Sequence, residues 1–115
     1  GMVYLDKAVQ LNPQKHQAYR AFIKCIFAKT YKESISDFED CIKKFGNSYV
    51  MDHTYNFYIG LCYLQMNEYA KAEKLFGEYN DDIFKNRQGL EHPTALFYYG
   101  ISLYEQITKA QLTKE

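Results

Sequence analysis

Hydrophobic residues recur at steps of three and four along most of the chain, the spacing that places them on one face of an α-helix. The run 35–45 shows this clearly, with apolar side chains at Ile35, Phe38, Cys41, Ile42 and Phe45. Breaks in the pattern divide the chain into six predicted helices, at about 3–11, 15–29, 32–45, 52–66, 68–79 and 93–110. The pattern therefore predicts an all-α protein.

Residues that favour helix ends lie at several of these breaks. Gly46 follows the third predicted helix and can take the left-handed conformation of a helix C-cap. Ser48 or Asp52 can cap the fourth helix, and Pro93 suits the first position of the sixth. Residues 80–92 show no sustained period, so we expect them to form a loop or to extend the fifth helix by a turn.

The segment 53–79 contains four residues in a recognisable order: Gly60, then Tyr63 three positions later, Ala72 twelve positions after the glycine, and Phe76 four positions after that. This order resembles the tetratricopeptide repeat, whose signature is W-x₂-L-G-x₂-Y followed by A-x₃-F on a helix-turn-helix. The resemblance implies an α-α superhelix, a helical-repeat solenoid of antiparallel helix hairpins.

Weaker copies of the same signature lie on both sides. Upstream, Ser34 and Cys41 stand where the family has alanine, and we align Ile23 with the family's glycine. Downstream, Gly100 repeats the opening of the motif, and at the start Ala8 lies in a segment similar to the exit of a second helix. The resemblance therefore implies a single domain over 2–115, with a half-repeat at 2–13, repeats at 15–46 and 52–80, and a half-repeat at 93–110.

Small residues at such positions let two helix axes cross closely, while aromatic side chains fill the space beside them. We expect this packing role at six positions, Ala8, Ser34, Cys41, Gly60, Ala72 and Gly100. The first and last helices are half-repeats, and each leaves an apolar stripe open, which in the first helix includes Leu5, Val9 and Leu11. We expect these edges to be covered in a longer protein or to pair between copies as an isologous homodimer.

In tetratricopeptide proteins the first helices of the repeats line a concave face that often holds an extended peptide. The resemblance carries this role onto nine residues, Arg20, Lys24, Phe27, Phe57, Leu61, Leu64, Phe97, Ile101 and Tyr104. This surface is basic at one end and apolar at the other, so we expect it to bind an apolar or aromatic segment with an acidic group near Arg20 and Lys24. The alternative is that the chain's last helix or a second subunit covers its apolar part.

The charge of the chain narrows the choice of partner. Its 115 residues include 14 basic and 14 acidic side chains, and this net charge of zero argues against nucleic acid or anionic membranes as partners. Residues 1–45 carry a net charge of +3 and the remainder a net charge of −3.

No apolar run approaches the roughly 18 residues of a membrane span, and we expect a cytoplasmic protein. Gly1 before Met2 is interpreted as a residue left by tag removal.

Residues suited to catalysis or metal binding do not cluster in the sequence. His16, His53 and His92 lie at predicted helix starts, and the three cysteines lie within apolar segments, as buried thiols in a reducing compartment do. No nucleophile, phosphate-loop or metal-ligand motif is present. We therefore expect no enzymatic activity and no cofactor, and a non-catalytic protein–protein interaction scaffold. The alternative is a small helical-bundle enzyme or small-ligand-binding protein, which needs a closed pocket lined by polar groups.

Overall fold

The computed structural model of the protein describes residues 2–86 and 93–114. These residues form six α-helices, α1 (Met2–Leu11), α2 (Pro13–Ile23), α3 (Tyr31–Phe45), α4 (Tyr55–Gln65), α5 (Tyr69–Asn86) and α6 (Pro93–Lys114). A π-helical turn (Lys24–Ala28) continues α2, and two short antiparallel strands, β1 (Tyr49–Val50) and β2 (His53–Thr54), precede α4. The predicted all-α class is confirmed. Among the helices described, none is both long and apolar enough to cross a membrane.

The first two helices form a hairpin with a one-residue break at Asn12. The Asn12 side-chain oxygen accepts a hydrogen bond from the Lys15 amide (3.3 Å), and Pro13 occupies the first helical position. At its other end α2 passes into the π-helical turn, after which Lys29 adopts the left-handed conformation with φ 58°. The helix predicted over 15–29 is therefore present, but its last turn is wound more widely than an α-helix.

The start of α4 differs from the prediction. Residues 49–54 form the paired strands β1 and β2 instead of a helix entry. Thr54, and not Ser48 or Asp52, caps α4, because its hydroxyl oxygen accepts a hydrogen bond from the Phe57 amide at 3.3 Å. The fourth helix is shorter than predicted for this reason.

The last two helices are longer than predicted. α5 ends at Asn86, so residues 80–86, which show no sustained period of apolar residues, are helical. Residues 87–92 of the same segment lie outside the described residues. α6 begins at Pro93 as predicted, and it continues to Lys114 although the polar residues from Lys109 onward favour an end near 110.

Each helix packs chiefly against the helices before and after it in the chain. A row of buried aromatic rings fills the space between them. Phe38 stacks on Tyr58 with ring centroids 5.7 Å apart. Phe76 meets Phe57 edge-on (5.5 Å) and stacks on Tyr98 (5.6 Å). Each such pair contributes about 0.5–1.5 kcal/mol beyond the area it buries, and together the rings join α3, α4, α5 and α6 into one core.

Four of the six small residues are buried, namely Ser34, Cys41, Gly60 and Ala72. At Gly60 a side-chain carbon would lie 3.0–3.3 Å from the ring of Phe76, so the two helices approach closely there. Ser34 donates a hydrogen bond to the backbone oxygen of Ala21 (2.7 Å). Because Ala21 is fully buried and Ile23 is only half-buried, Ala21 and not Ile23 occupies the close-approach position between α2 and α3.

The other two small residues are less enclosed. Ala8 is half-buried in α1. Gly100 is exposed, and no described atom lies within 4 Å of the place where its side-chain carbon would be. Among the described residues Gly100 therefore lacks the expected packing contact, because no described helix covers that face of α6.

Gly60→Ala is expected to destabilise the protein. The Phe76 ring is held between Phe57 and Tyr98 and cannot move away from the added methyl group, so overpacking costs about 1–3 kcal/mol. The roughly 1 kcal/mol that alanine gains over glycine in a helix offsets part of this cost. The matched control, Gly100→Ala, should stabilise the protein by about 0.5–1 kcal/mol, since its methyl group enters open space. Urea unfolding followed by circular dichroism measures both. Equal effects would contradict the close contact at Gly60.

Candidate interaction surface

The structure divides the nine predicted binding residues among three environments. Arg20 and Lys24 lie in an ion-pair network between helices. Phe57 is part of the core, and Leu61 and Leu64 are half-buried against it. The other four residues lie at the two ends of the protein. The predicted continuous binding face is thus interrupted in its middle.

Arg20 and Lys24 both pair with the buried Asp37 of α3. The Arg20 guanidinium donates from Nε to Oδ2 (2.9 Å) and from Nη2 to Oδ1 (2.7 Å), and Lys24 Nζ lies 3.0 Å from Oδ2. Arg20 Nη1 also donates to Asp6 of α1 (3.0 Å). The hydrogen bond to Asp37 raises the pKa of Arg20. Carboxylates of the chain itself therefore already engage both cations, which argues against the expectation that they bind an acidic group of a partner.

Phe57 lies in the core and is only 1% exposed. The rings of Tyr79, Phe76 and Tyr98 surround it at centroid distances of 5.3, 5.5 and 6.1 Å. Because these residues belong to α5 and α6, the chain's own helices cover Phe57. Its assignment to a partner-binding surface is therefore wrong, and the alternative that the chain covers it holds for this residue.

An open apolar cavity lies at one end of the protein, between α1 and the segment formed by α2 and the π-helical turn. Its volume is about 550 Å³. We call this cavity the head pocket. Its lining residues are Met2, Leu5, Tyr19, Ile23, Phe27 and Ala28. Phe27, one of the predicted binding residues, is 68% exposed. The hydroxyl of Tyr19 is the one polar side-chain group among these six residues, so the pocket suits apolar side chains.

The π-helical turn places Phe27 at this position. A π-helix has a wider turn than an α-helix and changes the direction in which the following side chains point. Phe27 contacts Phe22 edge-on (6.2 Å), and Phe22 contacts Tyr58 of the core (5.3 Å). An aromatic ring that is supported on one side and exposed on the other is suited to anchor a partner.

A second exposed apolar surface runs along α6. Phe97, Gly100, Tyr104 and Ile107 are spaced i, i+3, i+7 and i+10 and therefore face one side of the helix. We call these four residues the tail stripe. Phe97 is 64% and Tyr104 67% exposed. Ile101, another predicted binding residue, is half-buried at the edge of this stripe.

The opposite face of α6 is held against α5. Ser102 is fully buried, and Tyr98 stacks on Phe76. Gln106 donates a hydrogen bond from Nε2 to Oε2 of Glu73 on α5 at 3.0 Å. These contacts fix the orientation of α6, so that the tail stripe points away from the core.

Residues suited to catalysis or metal binding do not form a site in the described part of the chain. It contains no group of three or more His, Cys, Asp or Glu side chains placed to hold a metal. His53 Nδ1 lies 3.4 Å from the Tyr79 hydroxyl, His16 lies in α2, and His92 lies outside the described residues. The three cysteines are buried and free, and burial raises the pKa of Cys41 to about 11. The Cys41 thiol therefore stays protonated near neutral pH and acts as a packing group.

A small polar cavity of about 190 Å³ lies at the start of α4, lined by Asn47, Thr54, Asn56, Leu75, Glu78 and Tyr79. The side-chain oxygens of Asn47 and Thr54 accept hydrogen bonds from the amides of Asn56 and Phe57. These oxygens are therefore engaged at a helix start. The cavity is also smaller than ordinary small-molecule sites of about 300–1,000 Å³, so it gives no support to the alternative of a small-ligand-binding protein.

No protein-family model, curated protein or solved structure matches this chain at a significant level. The resemblance to the tetratricopeptide repeat therefore depends on Gly60, Tyr63, Ala72 and Phe76 and on their weaker copies along the chain.

Proposed function

We propose that this protein is a non-catalytic interaction scaffold of the tetratricopeptide type, which binds an apolar segment of a protein partner in the head pocket. The observation that carries the proposal is the head pocket itself, an open cavity of about 550 Å³ with an apolar lining and an exposed Phe27. Contiguous exposed apolar surface of this kind marks interaction sites in proteins generally.

The lining of the head pocket favours the apolar side chains of a peptide or helix over a small polar substrate, because it offers the Tyr19 hydroxyl as its one polar side-chain group. Its volume lies in the range of small-ligand pockets as well, so the lining, and not the volume, favours a peptide or helix. Burial of one large apolar side chain contributes about 1.5–3 kcal/mol, so two or three such side chains and the ring of Phe27 are sufficient for a specific, reversible contact. Because Arg20 and Lys24 are already paired, the partner segment needs no acidic group.

Two further features support the proposal. The helices stack in sequence order, and Gly60 and Phe76, two residues of the repeat signature, are in contact. The cysteines are free, which favours a reducing compartment such as the cytoplasm as the place where the scaffold acts.

Selection of helix-forming peptides displayed on phage tests the proposal. We expect the selected peptides to carry apolar residues at i, i+3 or i+4, and i+7, the pattern of a helix bound in a groove. We expect their affinity, measured by fluorescence anisotropy, to fall at least about tenfold for Phe27→Ser, because this variant loses the exposed ring that anchors the partner.

Phe45→Ser is the matched control for this experiment. Phe45 is an exposed aromatic residue in the last turn of α3 and does not line the head pocket, so its replacement removes a similar ring and leaves the pocket intact. Circular dichroism of both variants verifies the fold. A library that yields no binder, or peptides that bind Phe27→Ser as tightly as the unchanged protein, would show that the head pocket is not a binding site.

A further inference from the structure

We infer that Cys25 and Cys62 form a redox-active thiol pair, which a hydroperoxide converts into a disulfide that joins the π-helical turn to α4. The inference goes beyond the proposed function and does not depend on the head pocket. Two observations carry it: the register in which α2 and its π-helical continuation face α4, and the hydrogen bond between the two thiols.

The segment formed by α2 and the π-helical turn faces α4 in a register that brings Cys25 to Cys62. Phe22 contacts Tyr58 with ring centroids 5.3 Å apart. Cys25 lies about one turn after Phe22, and Cys62 lies about one turn after Tyr58, so each pair occupies one side of its helix. The Cys25 sulfur lies 3.8 Å from the backbone oxygen of Tyr58. In an α-helix this oxygen is beside the amide of the residue four positions later, which here is Cys62.

The two thiols meet inside the core. Cys62 is 0% and Cys25 is 4% exposed. Because helical side chains tilt toward the N-terminus of their helix, the Cys62 sulfur points back toward the Tyr58 carbonyl, where the Cys25 sulfur lies. The thiols are hydrogen-bonded to each other, and the Ser34 hydroxyl of α3 lies within hydrogen-bonding range of both. The sulfurs therefore start in contact and need only approach to the length of a disulfide bond, about 2 Å.

The hydrogen bond makes one thiol a stronger acid than the other. The hydrogen bond from Cys25 lowers the pKa of Cys62, although burial opposes this shift. The same hydrogen bond, together with burial, raises the pKa of Cys25. Because the thiolate and not the thiol is the nucleophile, Cys62 is the sulfur that attacks the oxidant, and Cys25 is the sulfur that completes the disulfide.

The reaction with a hydroperoxide can be written in two balanced steps. The Cys62 thiolate attacks one oxygen of hydrogen peroxide and the O–O bond breaks. The second oxygen leaves as hydroxide, takes up the proton that Cys62 released and becomes water, while Cys62 becomes a sulfenic acid. The Cys25 sulfur then attacks the Cys62 sulfur, the S–OH bond breaks, and the hydroxyl leaves as water with the Cys25 proton. The two thiols thus give two electrons and two hydrogen atoms to one peroxide molecule.

The burial of the pair favours a small oxidant. Hydrogen peroxide is little larger than water, whereas oxidised glutathione cannot reach sulfurs that are 0% and 4% exposed. In a reducing compartment, disulfides are usually transient and redox-sensing. The disulfide would hold the π-helical turn, which also carries Phe27, against α4 until a reductant releases it.

Peptide mapping tests the inference, because trypsin places the three cysteines in separate peptides, 25–29, 33–43 and 45–71. The folded protein is treated with hydrogen peroxide, and the remaining thiols are alkylated in urea without reductant. We expect one cross-linked product, which joins 25–29 to 45–71, and an alkylated Cys41. Dithiothreitol should restore both thiols. The urea midpoint of the oxidised protein should be higher, because the bond closes a loop in the unfolded chain.

Cys41→Ser is the matched control. It removes an equally buried thiol, which lies beside the carboxylates of Asp37 and Asp40, and should leave the cross-link unchanged. Cys25→Ser should abolish the cross-link, and dimedone added with the urea should then label Cys62 as a sulfenic acid. Circular dichroism of both variants verifies the fold.

Three results would overturn the inference: no cross-link in the folded protein, the mixture of cysteine pairs that oxidation in unfolding urea produces, or a lower urea midpoint after oxidation. Absence of the dimedone label from Cys62 in folded Cys25→Ser would overturn its role as the attacking sulfur. Peptide binding in the head pocket is measured separately, so failure of the thiol pair leaves the proposed function standing.

Discussion

Phe57→Ala is expected to lower the free energy of unfolding by about 3–5 kcal/mol, the usual cost of replacing a buried phenylalanine by alanine. The side chain is 1% exposed, and rings from α5 and α6 surround it. Its removal leaves a cavity that the stacked rings of Phe76 and Tyr98 cannot fill without breaking their own contact. Urea unfolding followed by circular dichroism measures the loss.

Phe97→Ala is the matched control, because Phe97 holds the corresponding position in α6 and is 64% exposed. We expect it to change the free energy of unfolding by less than about 0.5 kcal/mol. Similar losses in the two variants would mean that Phe97 is as enclosed as Phe57, which would contradict the exposed tail stripe. A small loss for Phe57→Ala would contradict the core described here.

The helices with strong periodicity could be predicted from the sequence. α3 begins one residue before its predicted start and ends where predicted, because a continuous apolar stripe and Gly46 mark its extent. The strands in 49–54 could not be predicted, since two-residue strands are too short to show an alternation of apolar and polar residues. The extension of α5 over 80–86 continues a helix that is already nucleated, and such propagation needs no apolar period of its own.

The exposure of the predicted binding residues was harder to predict, because the sequence does not show which of two corresponding side chains is covered. Phe57 and Phe97 hold corresponding positions in the sequences of α4 and α6, and they differ in exposure because α5 and α6 pack on α4, while no described helix packs on the tail stripe. The head pocket depends on the π-helical turn, and no pattern in the segment 24–28 predicts that turn.

The sequence does indicate the ion-pair network that Asp37 forms with Arg20 and Lys24. Asp37 lies on the buried stripe of α3, three residues after Ser34 and four before Cys41. A carboxylate at such a position is costly unless a cation and hydrogen bonds compensate it, so a basic partner inside the chain had to be expected. Arg20 and Lys24, one turn apart on the preceding helical segment, are that partner.

Asp37→Asn is expected to lower the free energy of unfolding by about 3 kcal/mol at neutral pH, the lower end of the range for removing one partner of a buried ion pair. Asparagine has nearly the same shape but leaves two cations without their shared counter-charge. The lower end applies because Arg20 keeps its contact with Asp6 (3.0 Å). Urea unfolding at pH 7 measures the loss.

Glu39→Gln is the control for the change of charge. Glu39 is exposed on α3, two residues beyond Asp37, so its replacement removes the same charge from the same helix without breaking the network. We expect a change of less than about 0.5 kcal/mol. Equal losses in Asp37→Asn and Glu39→Gln would show that net charge, and not the pairing with Arg20 and Lys24, determines the effect.

The pH dependence of Asp37→Asn supplies a second measurement with a definite sign. Burial raises the pKa of Asp37, but the hydrogen bonds from Arg20 and Lys24 and the positive charges of both residues together lower it by more, so the pKa in the folded protein lies below its ordinary value. The stability that follows is present above the unfolded pKa of about 3.9 and is lost as the pH falls through the lower folded pKa. The difference in stability between the unchanged protein and Asp37→Asn should therefore shrink as the pH falls below about 4. A difference that stays constant as the pH falls below about 4 would show that the ionised carboxylate does not hold α2 and the π-helical turn against α3.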